Sequence, residues 1–280
     1  FQAMQAGDPN YKSTTRDVRR LINELKDTGV DGIVMDLRNN GGGALHEAND
    51  LVGLFIDQGP TVQIRNANNE VQVLTDQDPS VAYDGPLVVL VNRMSASASE
   101  IFAGAIQDYG RGLVVGSQTF GKGTVQAVRP LNHGQLKITQ SKFYRVSGGS
   151  TQHKGVIPDI EIPSRVDKTR IGEDALDHAL PWDQIDAVPH TRYFDFSGVI
   201  DQLRKNHDNR FATNPEFQLL QKEIEFLEKQ RGIDYVTLNA DQRKNRHSEI
   251  EQTRLTIANT RRELQGEEPF ETLDQLEDWR

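Results

Sequence analysis

Cysteine is absent from this chain of 280 residues. The absence excludes disulfide bonds, thiolate nucleophiles and cysteine-ligated metal sites, but it does not distinguish a reducing from an oxidising compartment. No apolar run approaches the roughly 18 residues of a membrane-spanning helix. Blocks of Lys and Arg interleaved with aromatic residues are also missing, and the formal net charge is −9. We therefore expect no membrane span and no nucleic-acid partner.

The chain begins with phenylalanine rather than with an initiator methionine, a basic segment and an apolar leader. We therefore expect it to be cut from a longer precursor, with any signal sequence upstream.

Apolar periodicity predicts an α/β fold. Buried strands are predicted at 32–37, 86–91 and 113–115, and helices follow the first two of them. Further strands are expected as a hairpin around 62–73 and as two segments at 124–128 and 136–146. Because strands alternate with helices, the pattern indicates a layered α/β core. We predict a core over 1–165, a linker over 166–195 and a charged helical domain over 196–280.

A candidate nucleophile lies between a predicted strand and a predicted helix. Ser97 stands in Ser95-Ala96-Ser97-Ala98-Ser99. At the first turn of a helix a serine hydroxyl gains from unpaired backbone N–H groups, and the small alanines leave room for a substrate carbonyl. Ser95 and Ser99 are interpreted as structural or capping residues.

A candidate general base follows 25 positions later, in Gly121-Lys122-Gly123. A lysine that acts as a base near neutral pH needs its pKa lowered from about 10.4 to near 7, which burial can supply. The flanking glycines allow close backbone approach. The amide of Gln126, farther along the next strand, is a candidate for orienting Lys122. A surface lysine in a flexible loop is the competing interpretation.

Acyl transfer also requires donors for an oxyanion. The triplet Gly41-Gly42-Gly43 follows a predicted strand and can present backbone N–H groups, and the N–H of Ala98 is the second candidate donor. A permissive turn is the alternative interpretation of the triplet.

Two other chemistries are open at this point. A serine–histidine triad would need His46 or His153 to fold near Ser97, with Asp36, Glu100 or Asp108 as a supporting carboxylate. The segment 116–122 matches the first seven positions of a phosphate-binding P-loop, but Gly123 occupies the hydroxyl position. A strand rather than a helix is predicted to follow, so nucleotide binding is not favoured.

Four motifs occur together in order: Asp36-Leu37-Arg38-Asn39-Asn40-Gly41-Gly42-Gly43, Ser95 to Ile101, Gly121-Lys122-Gly123-Thr124-Val125-Gln126, and Gly155-Val156-Ile157-Pro158-Asp159. In these motifs the chain resembles the carboxyl-terminal processing, or tail-specific, serine proteases. Phe143-Tyr144-Arg145-Val146, Ala179-Leu180-Pro181-Trp182-Asp183 and the charged helical end resemble the long periplasmic form of that family.

The resemblance implies a crotonase/ClpP-like layered βαβ core with a helical carboxyl-terminal domain. It implies Ser97 as nucleophile, Lys122 as general base, Gln126 as a positioning residue, and Ala98 with Gly42 or Gly43 as the oxyanion site. Asp108 would be a supporting residue. No metal or cofactor is expected.

Implied substrates are periplasmic bacterial proteins with apolar, unstructured carboxyl termini, and an implied partner is a lipoprotein adaptor. Members of this family carry a PDZ domain, which captures the substrate carboxylate, before this segment, and none is visible in this sequence. Two alternatives to a Ser-Lys endopeptidase follow: a catalytically silent binding or assembly module, and a crotonase-like acyl-CoA enzyme.

Overall fold

Strands and helices alternate through the first two hundred residues, which confirms the predicted α/β class. The computed structural model describes residues 1–2 and 12–279. The chain divides into two units, Phe1–Ile200 and Asp201–Arg280, and the first contains both β-sheets.

One sheet is parallel and has four strands in the order β1-β4-β5-β8. Its strands are β1 (Ile33–Asp36), β4 (Leu87–Val91), β5 (Leu113–Gly116) and β8 (Ile160–Glu161). Strands β4 and β5 are short Val- and Leu-rich runs in which every second residue is buried, whereas β1 leaves Val34 exposed. The two-residue strand β8 has too short a pattern to be predicted from periodicity.

The second sheet is antiparallel, in the order β3-β2-β7-β6. It contains β2 (Gly59–Asn66), β3 (Val71–Asp76), β6 (Thr124–Pro130) and β7 (Gln135–Tyr144). The register of β6 against β7 shifts between Val125 and Gln126, so the edge strand β6 is bulged. A bulge at an edge strand re-aims the side chains beside it.

Over residues 1–2 and 12–200 the structure describes three complete α-helices: α1 (Thr14–Asp27), α2 (Leu45–Val52) and α3 (Ala98–Asp108). Helix α1 begins after Ser13, whose hydroxyl accepts the N–H of Arg16 at 3.2 Å. Helix α3 contacts α2, β5 of the parallel sheet and β2 of the antiparallel sheet, so it lies between the two sheets. Its residues from Ala98 to Ile106 are all buried. The core therefore surrounds the helix that follows the candidate nucleophile.

The parallel register fixes where the candidate site forms. In the register of the sheet Asp36 pairs with Leu90, and Val91 pairs with Gly116, so β1, β4 and β5 end at one edge of the sheet. The turns that leave this edge carry the glycine triplet, Ser97 and Lys122 respectively. In open α/β sheets ligands bind outside the carboxyl ends of the strands.

The second unit is helical. It holds most of α4 (Ser197–Thr213), followed by α5 (Pro215–Arg231), α6 (Ala240–Leu264) and α7 (Leu273–Trp279). Asn214 caps α5, with Pro at the first helical position. Over the ranges 1–2 and 12–279, we find no helix with the length and apolarity needed to cross a bilayer.

Candidate active site

Ser97 lies at the N-cap of α3 in an uncommon backbone conformation. Its φ is 57° and its ψ is −114°. A non-glycine residue in such a region costs on the order of 1–3 kcal/mol and is typical of functional turns. The side chain is half-buried, whereas Ala96 and Ala98 on either side are buried. The fold thus holds Ser97 at the end of a strand-to-helix turn, beside the helix N-terminus.

The neighbouring serines have structural roles. Ser95 Oγ donates to the Leu37 carbonyl at 2.8 Å, and Ser99 Oγ donates to the Asn40 carbonyl at 2.9 Å. Both hydroxyls therefore connect the Ser97 turn to the glycine-rich turn after β1. This agrees with the interpretation of Ser95 and Ser99 as structural residues.

The glycine turn presses closely against the Ser97 turn. A Cβ at Gly42, where φ is +97°, would lie 2.6 Å from the Ala96 carbonyl oxygen and 2.8 Å from the Ala98 nitrogen. Only glycine fits this approach. The Gly42 N–H donates to Asn40 Oδ1 at 3.0 Å, whereas in the described ranges the Gly43 N–H has no hydrogen-bond acceptor. Between the two glycines, the geometry therefore favours Gly43 as a donor.

Lys122 lies in the loop between β5 and β6. Burial lowers its pKa from the ordinary value, and the positive charge of Lys137 lowers it further, while Glu173 and Glu100 oppose the change. A lowered pKa raises the fraction of neutral amine, which is the form that can accept a proton. The electrostatics of the loop suit a general base.

Ser97 and Lys122 line a single cleft of about 320 Å³. Its other lining residues, from the glycine turn, α2, α3, β6 and β7, are Gly43, Ala44, Leu45, Ala98, Ile101, Thr124, Val125, Gln126, Lys137 and Phe143. The cleft therefore combines a hydroxyl, two lysines, backbone N–H groups and an apolar wall. Among the described residues, no hydrogen bond joins Ser97 Oγ to Lys122 Nζ. Such contacts are often long in unliganded sites and tighten with substrate.

A buried carboxylate links the two turns. Glu100 Oε2 accepts the N–H of Ser97 at 2.7 Å and the N–H of Lys122 at 2.9 Å. Its Oε1 accepts the N–H of Gly121 at 2.7 Å and the hydroxyl of Thr119 at 2.5 Å. Burial raises the pKa of Glu100 to about 7, although all four donors favour the ionised form. The spacing Ser97-Ala98-Ser99-Glu100 matches a capping box, so the sequence carried a signal for part of this role.

Gln126 lines the same cleft from β6, and its side-chain amide donates to Thr139 Oγ1 on β7 at 3.3 Å. The described hydrogen bonds include none from Gln126 to Lys122. Gln126 thus lines the same cleft as Lys122, and its amide contacts the neighbouring strand rather than the base.

Asp108 lies at the opposite end of α3 from Ser97. The two residues are eleven positions apart, which is about 16 Å along a helix at 1.5 Å per residue. Its carboxylate pairs with Arg145 at 2.5 Å and accepts the hydroxyl of Ser147 at 3.1 Å. Asp108 therefore fixes the chain that follows β7 rather than lining the cleft.

Asp36 does not line the cleft either. It forms an exposed ion pair with Arg38, whose hydrogen bonds lower the pKa of Asp36.

Neither alternative chemistry gains support from the geometry. His46 and His153 are not among the residues that line the cleft. In the P-loop-like segment, β5 ends at Gly116 and Thr124 opens strand β6, so a strand rather than the helix of a P-loop follows the loop. The ranges 1–2 and 12–279 contain no cluster of three or more His, Asp or Glu side chains arranged to hold a metal ion.

Three residues near Lys122 were missed by the sequence reasoning: Lys137, Gln152 and Glu173. Lys137 lines the cleft from β7. Gln152 is fully buried, and its amide contacts the Gly123 N–H at 2.9 Å and Glu173 at 3.0 Å. Gln152 ends the segment Gly148-Gly149-Ser150-Thr151-Gln152, which also resembles the long form of the family, but the sequence assigned it no role. All three residues reach the loop through tertiary packing, which no local pattern reveals.

A strained serine at a strand-to-helix turn, at the edge of a parallel sheet, is typical of hydrolases that use a serine nucleophile. Two family models match this chain: peptidase family S41 over residues 2–162, and the C-terminal domain of tail specific protease over residues 166–279. The chain belongs to peptidase family S41.

Relatives and solved structures agree with this assignment. The tail-specific protease of Haemophilus influenzae is 42% identical over 95% of this chain and 40% of its own length. The chloroplastic C-terminal processing peptidase of Tetradesmus obliquus is 37% identical over 55% of this chain and 33% of its own length. The structure of a photosystem II D1 C-terminal processing protease matches with a TM-score of 0.50 and 34% identity, covering 57% of this chain and 45% of that one. The chain thus spans less than half the length of these relatives.

Proposed function

We propose that this chain carries the catalytic centre of an ATP-independent, C-terminal processing serine endopeptidase with a Ser97–Lys122 dyad. The observation that carries the proposal is the cleft shared by Ser97, with its strained backbone, and Lys122, with its lowered pKa. Membership of family S41 supports it independently.

In the proposed mechanism, neutral Lys122 Nζ takes the proton of Ser97 Oγ as that oxygen attacks the scissile carbonyl carbon. The N–H groups of Ala98 and Gly43 stabilise the oxyanion that forms. Lys122 then gives its proton to the leaving amine, and the peptide bond breaks to leave an ester on Ser97. Lys122 next takes a proton from water as the water oxygen attacks the ester carbonyl carbon. It returns this proton to Ser97 Oγ as the ester bond breaks, which releases the new carboxyl terminus and restores the neutral amine. Gln126 is proposed to position the lysine through the network on β6 and β7.

The substrates proposed for this centre are periplasmic bacterial proteins with apolar, unstructured carboxyl termini. The support is the similarity to a bacterial tail-specific protease, together with apolar groups, among them Leu45, Ile101 and Phe143, in the wall of the cleft. A lipoprotein adaptor as partner is proposed on the family resemblance alone. Asp108 is proposed to support activity indirectly, through its ion pair with Arg145.

The test is cleavage of an unstructured protein with an apolar tail, followed by mass spectrometry. Ser97→Ala and Lys122→Ala are expected to abolish cleavage, and Lys154→Ala, a lysine outside the cleft that lies over Trp182, is the matched control. A fluorophosphonate probe is expected to phosphonylate Ser97, with loss of fluoride, in the wild type and in the Lys154→Ala variant. Retained turnover in Ser97→Ala would refute the nucleophile.

Two other outcomes have defined meanings. If the folded chain neither cleaves the substrate nor reacts with the probe, the chain is a catalytically silent binding module. If Lys122→Ala leaves reactivity intact while a coenzyme A ester binds the glycine turn, the acyl-CoA interpretation replaces the peptidase.

A further inference from the structure

We propose that Glu173 is a positioning residue for Lys122, acting by holding the backbone on both sides of the base. This inference rests on the proposed function. Glu173 opens the short 3₁₀ helix Glu173–Ala175 and is buried, with 9% of its surface exposed. It lies in the segment that matches the C-terminal domain of tail specific protease, beyond the peptidase match.

The first contact is on the amino-terminal side of Lys122. The backbone N–H of Glu173 donates to the carbonyl oxygen of Phe120 at 2.9 Å. The second contact is on the carboxyl-terminal side and runs through Gln152, whose Nε2 donates to Glu173 Oε1 at 3.0 Å and whose Oε1 accepts the N–H of Gly123 at 2.9 Å. Glu173 therefore reaches both flanks of a short loop, in which only Gly121 and Lys122 separate Phe120 from Gly123.

The close packing at Gly123 shows that this relay has little freedom. A Cβ at Gly123 would lie 2.6 Å from the Gln152 backbone nitrogen. Gln152 is fully buried, so its amide has no competing solvent and its orientation is set by the two partners.

Arg93 adds a second connection from the same segment to the same loop. Its guanidinium, fully buried, donates to the Thr119 carbonyl at 2.8 Å and to the Ile171 carbonyl at 2.6 Å, and it pairs with Asp174. The segment 171–174 therefore holds the base loop at Thr119, Phe120 and Gly123. A displacement of about 1 Å at a catalytic group can cost roughly a hundredfold in rate, so this connection has consequences for chemistry.

Charged groups face the lysine from three elements. Glu100 approaches from α3, Lys137 from β7 and Glu173 from the 3₁₀ helix. His153 meets the loop through its backbone, donating its N–H to the Gly121 carbonyl at 2.8 Å. Because the carboxylate of Glu173 favours the charged form of Lys122, removing that charge alone lowers the pKa of Lys122.

The test uses the pH dependence of the rate at which a fluorophosphonate modifies Ser97. In Glu173→Gln the amide oxygen still accepts from Gln152, so the rate on the high-pH plateau stays near that of the wild type. The negative charge is lost and the pKa of Lys122 falls, so the acid limb of the profile moves to lower pH. In Glu173→Ala the relay is broken, and the plateau falls by about 10- to 100-fold. Asp177→Asn removes the same charge from an exposed position four residues away and is expected to change neither value.

Two results would overturn the proposal. The first is that both Glu173 variants, with Ser97 still labelled, keep the acid-limb position and the plateau rate of the wild type. The second is a limb shift in Asp177→Asn equal to that of Glu173→Gln.

Hydrogen exchange of residues 119–123 supplies a readout that needs no activity. Faster exchange in Glu173→Ala than in Asp177→Asn is expected, and unchanged exchange contradicts the holding role. A wild type that shows no labelling of Ser97 refutes the proposed function instead.

Discussion

Oε2 of Glu100 accepts the backbone N–H of Lys122 at 2.9 Å, and the same oxygen accepts the N–H of Ser97 at 2.7 Å. A single buried atom thus joins the backbone of the candidate nucleophile to that of the candidate base. Because the two turns leave different strands of the parallel sheet, this link sets their separation independently of the sheet itself. Stability and reactivity are both expected to depend on this link.

Replacement of Glu100 by Gln is expected to destabilise the protein by about 1–3 kcal/mol, because an amide NH₂ would face backbone N–H donors. It is also expected to change the pH dependence of stability. The pKa of Glu100 is raised from 4.5 to about 7 in the folded state, so the folded protein favours the protonated carboxyl. The stabilisation from this preference is fully present below pH 4.5 and is lost as the pH rises to about 7.

Chemical denaturation of the wild type and of Glu100→Gln between pH 4.5 and 7 measures this effect. The wild-type free energy of unfolding is expected to decline relative to that of the variant as the pH rises. A difference that stays constant across the range would contradict the assignment.

Lys137 is expected to tune the base through its charge. In Lys137→Met the pKa of Lys122 rises, because one of the two effects that lower it is removed. The acid limb of the pH–rate profile for Ser97 modification therefore moves to higher pH. Lys154→Met, outside the cleft, serves as the control. A limb that moves to lower pH, or does not move, would show that Lys137 does not act on Lys122.

The close approach of the glycine turn gives a matched pair of variants. Gly42→Ala places a Cβ 2.6 Å from the Ala96 carbonyl at a φ of +97°, whereas Gly41→Ala meets no atom within 4 Å. We expect Gly42→Ala to lose about 10²- to 10³-fold in the rate of acylation, because the added Cβ displaces the turn that presents the Gly43 N–H, and this is the range for loss of an oxyanion donor. Gly41→Ala is expected to remain near the wild-type rate. Equal rates in the two variants would exclude the turn from the reaction.

Asp108→Asn is expected to lower the free energy of unfolding by about 3 kcal/mol, because it breaks a mostly buried ion pair with Arg145. The folded fraction should still label at Ser97 at a rate close to that of the wild type. Thermal unfolding and labelling of the same sample separate the two effects. A fully stable variant with no labelling would instead place Asp108 in the chemistry.

The parts of the site that follow from strand order could be predicted from the sequence. The glycine triplet, Ser97 and Lys122 each follow an apolar strand, and parallel strands present their carboxyl ends at one edge. The layered α/β core was predictable for the same reason. The helical regularity of α5 was also visible, from Asn214 at its cap and Pro215 at its first position.

The parts that depend on loop packing could not be predicted. Glu173 and Gln152 reach Lys122 from segments with little regular structure, so no periodicity marks them. Helix α4 has no buried residues within its described span, and α7 has only seven residues, so neither gives an apolar stripe to detect. The sequence could not decide between Gly42 and Gly43 as the oxyanion donor, because the decision depends on the Asn40 side chain, which accepts the Gly42 N–H.

The most direct test of the central claim is the rate constant for fluorophosphonate modification of Ser97 at pH 7 in the wild type and in Lys122→Met, with both proteins shown to be folded. General-base catalysis is worth roughly 10²- to 10⁴-fold, and the account predicts a loss in that range with the label still mapped to Ser97. An equal rate in the two proteins would contradict the account, because Ser97 would then be activated without Lys122.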